Sequence, residues 1–480
     1  MNSLKKNFIY NIAYQILILI IPLITVPYVS RTIGAEGIGI YSYTYSIVYY
    51  FMLLSMLGLN NYGNRTIAKV RDNKEKLSKT FKEIYLMQLF TSVIMIVCYL
   101  LYVYFFNINY KFIALIQIIS LISCAFDINW FFFGIEKFKI TVTRNTVIKI
   151  ISLILIFVFV KSTNDLWKYT LIVGSSTLLS QIILWPFVKR YVNKCEVDFK
   201  GIISHLKPSL ILFLPVIAVA IYKIMDKTML GSLSQITEVG FYENAEKVIN
   251  IPNAIIAALG TVMLPRMSNM YANGQDEESK KLIEKSISLM MFLAFAMCFG
   301  LIAISKDFSI LFFGSEFAKS GILIILLAVT ILFLSWGNVI RTQFLIPKEK
   351  DNIYIISAFL GAIVNFIMNS ILIPKYASIG ACYGTIAAEF IVMFYQTFSI
   401  KNELPIKKYL YDIVPFFIKA LIMFGLVMFI GKLNFDRIYV ILLQVLIGFV
   451  TYFMLNYKYI NSIIDLKKFT NRFVGVNHER

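Results

Sequence analysis

Long apolar segments alternate with short polar segments along almost the whole chain. Each apolar segment has about the 20 residues that an α-helix needs to cross the hydrocarbon core of a bilayer. The alternation therefore predicts an all-α, polytopic membrane protein. Its fourteen predicted spans are residues 8–30, 36–60, 82–106, 111–133, 140–160, 166–188, 208–230, 240–265, 286–306, 318–346, 352–373, 376–400, 410–431 and 436–457.

Composition and charge support a membrane protein and indicate its orientation. Hydrophobic residues make up 59% of the 480 positions and charged residues 15%, which is not typical of soluble domains. The net charge is +19, but Lys and Arg lie in short segments between apolar runs, which argues against a nucleic-acid partner. Alternate segments, starting with the N-terminal one, hold roughly three times as many Lys and Arg as the others. The positive-inside rule therefore predicts that both termini are cytoplasmic.

Residues suited to catalysis or metal binding do not cluster in the sequence. The five cysteines show no ligand spacing, and His205 and His478 fall in a predicted loop and in the tail. No phosphate-binding loop indicates an ATP-driven motor. A membrane glycosyltransferase or polymerase would need a sizeable outer loop with catalytic side chains, and the predicted outer loops are short. We therefore expect a protein that is not an enzyme and that has no catalytic residues, cofactor or metal site.

Two pairs of segments resemble each other at nearly constant offsets. Residues 30–43 are echoed by residues 227–244 at an offset of 201, and a second echo has an offset of 213. The aligned positions are Gly39 with Gly240, Tyr41 with Tyr242, Arg65 with Arg266, Glu136 with Glu349, and Lys137 with Lys350. Such self-similarity indicates an internal repeat.

The repeat predicts a division of the chain into lobes. We expect a six-helix lobe at 1–200, a second six-helix lobe at 201–408, and two additional helices with a cytoplasmic tail at 409–480. Because six is an even number, the two lobes share one orientation and are related by a pseudo-two-fold axis along the membrane normal. Transporters built from such halves hold their substrate at the interface between them and rock about it.

The predicted helix 240–265 carries a polar strip at membrane depth. Its members, which share one helical face, are Glu243, Lys247, Asn250 and Asn253, with Glu246 beside them. One alternative is internal pairing of Glu243 with Lys247 at i,i+4. We favour a substrate-binding cavity because the strip continues past that pair into amides, and polar groups in a bilayer are costly unless they face a cavity or another helix.

Two further segments supply candidate substrate-binding residues. Lys223, Asp226 and Lys227 lie near the end of the predicted helix 208–230, where snorkelling to the outer interface is an open alternative. By the offset of 201, the first-lobe counterparts of Glu243, Lys247 and Asn250 are Ser42, Ser46 and Tyr49, and Tyr41 begins a row of tyrosines spaced four apart. For the tyrosines, the alternative is an aromatic belt at the membrane interface.

Other polar side chains lie inside predicted spans. Glu389 stands near the middle of the helix 376–400 with Thr385 one turn away, and it is either a proton or cation site or a packing residue. Glu389 and Asp127 are our candidates for ion coupling. The remaining polar faces are Gln117, Ser120, Cys124 and Asp127 on the helix 111–133, and Asn365 and Asn369 on the helix 352–373.

Several short motifs resemble one known family of transporters. They are Arg31-Thr32-Ile33-Gly34, the residues 36–41, Gly58-Leu59-Asn60, Asn64-Arg65 and the aromatic segment 130–139. With these motifs the chain resembles the polysaccharide repeat-unit flippases, the Wzx-type members of the multidrug/oligosaccharidyl-lipid/polysaccharide exporter superfamily. Arg31 and Arg65 stand at positions that match the family pattern, and the resemblance implies that they contact substrate.

The resemblance also implies a fold, a substrate and partners. We expect two six-helix lobes of the kind found in multidrug exporters of that superfamily, in the plasma (inner) membrane of a bacterium. The implied substrate is an undecaprenyl-diphosphate-linked oligosaccharide, moved to the outer leaflet for O-antigen, capsule or exopolysaccharide assembly. Membrane lipids, a polysaccharide polymerase and the chain-length machinery are the implied partners, and H⁺ or Na⁺ coupling stays open. The alternatives are a peptidoglycan-precursor flippase and a drug/cation antiporter.

Overall fold

The structure is a computed structural model that describes residues 3–106 and 110–462. The last residues of the predicted cytoplasmic tail, including His478, lie outside this described part. Helices occupy most of it, so the predicted all-α fold is confirmed. The helices of the described residues are α1 Ser3–Met56, α2 Leu59–Val70, α3 Lys74–Phe105, α4 Lys111–Ala125, α5 Asn129–Gly134, α6 Phe138–Phe159, α7 Leu166–Ile182, α8 Trp185–Val188, α9 Phe199–Ser204, α10 Leu206–Leu233, α11 Ile236–Ala272, α12 Asp276–Phe313, α13 Ala318–Ala328, α14 Thr330–Ile340, α15 Asp351–Tyr376, α16 Ser378–Ser399, α17 Ile406–Ile430 and α18 Arg437–Leu455.

The described residues contain 12 segments that are long and apolar enough to cross a membrane. The number is 13 if the bent pair Phe199–Leu214 and Val219–Leu233 forms one span. One of these segments, Ile21–Val70, has 50 residues and would rise about 75 Å as a straight helix, far more than the ~30 Å hydrocarbon core. The protein is therefore a multi-pass membrane protein. The predicted number of fourteen spans is reached only if Ile21–Val70 is counted as two spans in addition to the bent pair.

A break in α1 lies where the sequence predicts a turn between the first two spans. The predicted turn covers residues 31–35, but the chain leaves helical geometry only at Gly34, with φ 75° and ψ 177°. Residues on both sides of Gly34 stay helical. The prediction of a turn several residues long is wrong in extent, because glycine adopts positive φ without a steric penalty and one residue suffices.

The predicted helices 36–60 and 111–133 each end earlier than expected. The first stops at Met56, because Leu57 and Gly58 take positive φ angles of 42° and 76°. The second is interrupted after Ala125. There the Asp127 carboxylate accepts hydrogen bonds from the backbone N–H and the side-chain amide of Asn129, at 2.9 and 2.7 Å. Such local bonds compete with helix continuation, so Asp127 does not share a helical face with the polar residues of α4.

The first compact unit comprises the chain up to Asn244 together with Ala358–Ala387. Its packed interior includes an aromatic cluster in which Trp130, Phe131 and Phe132 are fully buried. The indole N–H of Trp130 donates to Gln88 Oε1 at 2.9 Å, which satisfies the one polar group of that ring. The aromatic segment singled out in the sequence therefore forms part of this core.

The second compact unit comprises Ala245–Ser357 and the chain from Ala388 onward. Within it α12 packs against α13, α17 and α18. The hydroxyl of Tyr452 on α18 donates to the carbonyl of Phe292 on α12 at 2.9 Å, and the two rings stack 5.1 Å apart. The proposed division into lobes at residues 200 and 408 stays a prediction.

The second sequence echo recurs as one backbone conformation in each unit. Glu136 and Glu349 both adopt left-handed geometry, with φ angles of 58° and 54°. The next amide, of Lys137 or Lys350, then donates five positions back, at 2.9 and 2.8 Å. Non-glycine residues rarely take positive φ, so a matching pair at the predicted offset supports the internal repeat.

Candidate functional site

Helices α1 and α11 cross within the first unit at a pair of glycines. A Cβ atom on Gly39 would lie 2.0 Å from the carbonyl oxygen of Ile236, and a Cβ on Gly240 would lie 2.0 Å from the carbonyl oxygen of Ala35. The two contacts are equivalent under the offset of 201, because Gly39 corresponds to Gly240 and Ala35 corresponds to Ile236. The crossing therefore has local two-fold symmetry, and it brings the two backbones too close for any side chain.

The same symmetry extends to contacts on both sides of the glycines. Asn244 Nδ2 donates to Ser30 Oγ at 2.8 Å. The equivalent pair, shifted by 201, is Tyr43 with Gly231, where the glycine lies against the tyrosine ring. The two segments that the sequence aligned as repeats thus contact each other through equivalent residues.

A largely buried ion pair between α10 and α11 lies beside this crossing. Lys227 Nζ is 2.6 Å from Glu243 Oε2, and the side chains are only 17% and 13% exposed. Ser42 Oγ donates to the same carboxylate oxygen at 2.6 Å. Ser42 and Glu243, aligned in the sequence by the repeat, are therefore direct partners. We call Ser42, Lys227 and Glu243 the crossing triad.

A second polar cluster surrounds Asp226. Its Oδ1 accepts hydrogen bonds from the side-chain amides of Asn365 and Asn369, at 2.9 and 2.6 Å. Its Oδ2 accepts bonds from the hydroxyls of Tyr242 and Thr385, both at 2.7 Å. Asp226 is 2% exposed and both asparagines are fully buried. We call these five residues the Asp226 cluster, and all of them belong to the first unit.

The Asp226 cluster has the chemistry of a site for a monovalent cation or a proton. Four neutral donors compensate the carboxylate charge, whose burial would otherwise be costly. The carboxylate, amide and hydroxyl groups also supply the oxygen ligands that hard cations prefer. A cluster with one carboxylate and otherwise neutral amide and hydroxyl groups suits a proton or a weakly bound hard cation better than a transition metal.

Other predicted substrate residues also lie in the first unit. Ser46 accepts a hydrogen bond from Thr228 at 2.9 Å. Tyr41 and Tyr49 flank Tyr45 in a row of rings with centroids 5.9 and 6.1 Å apart. The exposed members are Arg31 on α1, Arg65 on α2 and Lys223 on α10.

The rest of the predicted strip lies on the part of α11 that belongs to the second unit. Glu246 and Lys247 are half-buried and Asn250 is exposed. The Oδ1 atom of Asn253 is buried without a hydrogen-bond partner. The predicted strip therefore extends over both units along one helix, and its role in substrate binding stays a prediction.

The two predicted ion-coupling carboxylates have different surroundings. Glu389 on α16 is 6% exposed. Thr385, one turn before it on the same helix, donates to Asp226 at 2.7 Å. The Asp127 carboxylate accepts bonds at the start of α5, as described above. No contact tests their coupling role, which stays a prediction.

Sequence reasoning did not anticipate two groupings of polar side chains. Tyr242 and Asp226 are bonded, although the predicted strip ran along the helix from Glu243 onward. His205, interpreted as an isolated loop residue, is in fact partnered: its Nδ1 lies 2.6 Å from the Tyr62 hydroxyl and its Nε2 lies 3.2 Å from Glu83 Oε2. A single sequence carries no signal for such pairs, because more than a hundred residues separate some of the partners.

The family described as polysaccharide biosynthesis protein matches residues 4–271, more than half of the chain. The chain belongs to this family. The chain is 24% identical over 405 residues to a Shigella dysenteriae protein named as an O-antigen transporter, and the match covers 83% of the chain and 100% of the relative. It is 23% identical over 413 residues to an O-antigen transporter of Escherichia coli strain K12, covering 84% and 97%.

Solved structures show a shared fold. The lipid II flippase MurJ in an inward closed conformation superposes with a TM-score of 0.76 at 18% identity, over 95% of this chain and 99% of that one. At this identity the similarity concerns the fold alone. The resemblance stated from the sequence motifs is therefore confirmed at the level of the family and the fold. The two sequence relatives are named as transporters and the solved structure as a flippase.

Proposed function

We propose that this protein moves undecaprenyl-diphosphate-linked oligosaccharide repeat units from the cytoplasmic to the outer leaflet of a bacterial plasma membrane. The product would feed O-antigen, capsule or exopolysaccharide assembly, in contact with a polymerase and its chain-length machinery. Two relatives named as O-antigen transporters, each matched over more than four-fifths of this chain, support a lipid-linked glycan as the substrate.

The physical problem of this task fits the polar groups of the protein. A diphosphate-sugar head cannot cross hydrocarbon unaided, whereas a prenyl tail can stay in lipid while the head passes through a polar cleft. Cationic side chains at membrane depth attract a diphosphate. If the head carries about two negative charges, an inside-negative potential of about 100 mV favours outward transfer by roughly 4 to 5 kcal/mol, at about 2.3 kcal/mol per charge.

The single observation that carries the mechanism is the two-fold crossing of α1 and α11 with its triad. Gly39 and Gly240 make a tight backbone contact, and Ser42, Lys227 and Glu243 join the two repeats by an ion pair and a hydrogen bond. In an alternating-access cycle in which the predicted lobes 1–200 and 201–408 move against each other, this crossing would join the two lobes on the predicted outer side and would have to separate to release the glycan. The ion pair gives that closed state a specific, breakable contact.

We further propose that the coupling ion, H⁺ or Na⁺, binds at the Asp226 cluster. Asp226 lies one position before Lys227 in the chain. A change in the charge of the Asp226 carboxylate therefore acts directly on Lys227, which belongs to the crossing triad. Glu389 and Asp127 remain secondary candidates. Since the fold similarity to a lipid II flippase carries no substrate information, we place a peptidoglycan-precursor flippase and a drug/cation antiporter behind the glycan flippase.

Deletion of the gene in its source bacterium tests the proposal. We expect the lipid-linked repeat unit to accumulate on the cytoplasmic leaflet and surface polymer to disappear. Complementation with the wild-type gene restores the polymer, Lys227→Ala restores little of it, and Lys207→Ala, a change of an exposed lysine on the same helix, restores it fully. Undiminished surface polymer after deletion, with no substitute flippase present, would overturn the proposal.

A further inference from the structure

A cavity of about 620 Å³ lies in the first unit, apart from the crossing triad and the Asp226 cluster. It lies where the C-terminal ends of α3 and α10 meet α1 and the start of α11. These segments are on the side of the membrane that the positive-inside rule predicts to be outside. The volume is within the range of small-molecule sites. The side chains that give the cavity its character are Glu36, Tyr43, Tyr102, Phe106, Tyr110 and Gln235.

The aromatic walls are held in place by packing. The rings of Tyr102 and Phe106 stack with centroids 5.1 Å apart. The ring of Tyr43 contacts Gly231, and its hydroxyl is 3.3 Å from Ser232 Oγ. These contacts fix the walls before any ligand arrives, which lowers the entropic cost of binding.

The polar groups of the cavity are those that recognise hydroxyls. Glu36 supplies a carboxylate acceptor, Gln235 supplies an amide that both donates and accepts, and the tyrosines supply phenols. Glu36 and Tyr110 both line the cavity, and partial burial together with the nearby charge of Glu36 raises the pKa of the Tyr110 phenol. A phenol is protonated at neutral pH, so Tyr110 can donate a hydrogen bond.

The charge of the cavity decides which part of a lipid-linked glycan fits it. Its described lining contains one acidic side chain and no Lys, Arg or His. An anionic diphosphate would be repelled by Glu36 and would find no cation, whereas neutral sugar rings offer hydroxyls to the polar groups and C–H faces to the electron-rich aromatic rings. The chemistry therefore selects the saccharide and excludes the diphosphate.

We propose that this cavity is a saccharide-binding site that receives the neutral sugar rings of the transported glycan on the outer side of the membrane. The proposal rests on the proposed function for the origin of the saccharide. The cavity walls come from α1 on one side of the crossing and from α10 and α11 on the other, so a bound sugar bridges the two sides while the crossing is closed and is released when it separates. Tyr43 belongs both to the cavity wall and to the two-fold contact with Gly231, so occupation of the site is sensed at the crossing.

A labelling experiment on the full-length protein in detergent tests the site without transport. A cysteine at Gln235 (Gln235→Cys) is labelled with a water-soluble maleimide, and a cysteine at the exposed Asn273 (Asn273→Cys) serves as the control position. The probe is the free oligosaccharide released by mild acid from the lipid that the deletion strain accumulates. Inorganic pyrophosphate at the same concentration is the comparison. The unmodified protein supplies the background from its native cysteines.

We expect the oligosaccharide to slow labelling at Gln235→Cys roughly tenfold when its concentration is about ten times its dissociation constant, and to leave Asn273→Cys unaffected. Pyrophosphate has no effect. Adding Tyr110→Ala raises the oligosaccharide concentration needed for protection by about tenfold. Labelling that the oligosaccharide does not change, or that pyrophosphate slows equally, overturns the proposal.

Transport by the wild-type protein in proteoliposomes separates this proposal from the proposed function. If the lipid-linked glycan crosses the bilayer and labelling at Gln235→Cys is unprotected, the flippase stands and the saccharide site is wrong. If labelling is protected and no lipid crosses the bilayer, the saccharide site stands and the flippase is wrong.

Discussion

The glycine crossing of α1 and α11 gives the sharpest prediction for mutagenesis. A methyl group on Gly39 or Gly240 would lie 2.0 Å from a carbonyl oxygen of the other helix. Carbon and oxygen atoms keep more than 3 Å apart, so the two helices must separate by about 1 Å to accept an alanine. The obstacle is backbone, which cannot rotate away as a side chain can.

Overpacking of this kind typically costs about 1–3 kcal/mol. We therefore expect Gly39→Ala and Gly240→Ala each to destabilise the closed crossing by about that amount. Because the two contacts are equivalent under the local two-fold symmetry, the two variants should lose stability by similar amounts. A loss of 1.4 kcal/mol changes the ratio of closed to open states about tenfold.

Matched controls exist in α12 and α17. Gly300 and Gly425 are helical glycines, and among the described residues no atom outside their own helix backbone and their chain neighbours lies within 4 Å of an added Cβ. Gly300→Ala and Gly425→Ala should be neutral, or stabilising by up to about 1 kcal/mol through the higher helix propensity of alanine. The assay compares the thermal midpoints of the detergent-solubilised proteins and their ability to restore surface polymer.

Two results would refute this reasoning about the crossing. If Gly39→Ala and Gly240→Ala match the controls in stability and in polymer, the close approach carries no cost. If only one of the two destabilises the protein, the contacts are not equivalent and the local two-fold symmetry is wrong.

The polar clusters give three further expectations. Lys227→Ala leaves the Glu243 carboxylate without this partner and should lower the stability of the folded protein by about 3–5 kcal/mol. Adding Glu243→Gln should recover most of that stability. A double variant whose thermal midpoint does not recover contradicts the ion pair. Asp226→Asn keeps the size of the side chain but removes its charge, so transport should lose its dependence on a Na⁺ or proton gradient in proteoliposomes; a dependence that persists moves the coupling site elsewhere. Arg31→Ala and Lys247→Ala should each reduce transport, with membrane insertion unchanged on immunoblots. Normal transport in both variants would mean that these residues do not bind substrate.

Much of the fold can be predicted from the sequence, because the bilayer requires every span to be an α-helix of similar length. The all-α class and most helix positions could be predicted from apolar runs alone. The offset of 201 aligned Ser42 with Glu243 as equivalents, but it did not predict their contact. The two residues meet because both lie beside the local two-fold axis of the crossing, and the position of that axis is known only from the structure.

The misses have local or long-range physical causes. The interruption of α4 depends on one carboxylate, Asp127, that caps the next helix, and helix periodicity does not register such a competition. The Asp226 cluster joins Asp226 to Asn365 and Asn369, which are 139 and 143 positions away. The sequence indicates that each of these three polar side chains is costly in lipid, but it does not indicate that they form hydrogen bonds with one another.

The measurement that tests the central claim most directly is transport by the purified protein in proteoliposomes. The lipid-linked oligosaccharide is placed in both leaflets, and the fraction in the outer leaflet is followed by its susceptibility to an impermeant glycosidase. We predict that wild-type protein lets the enzyme reach nearly all of the lipid, whereas Lys227→Ala vesicles and protein-free vesicles leave the inner-leaflet half protected. An inner-leaflet half that stays protected in wild-type vesicles, with the protein folded and inserted, would contradict the account.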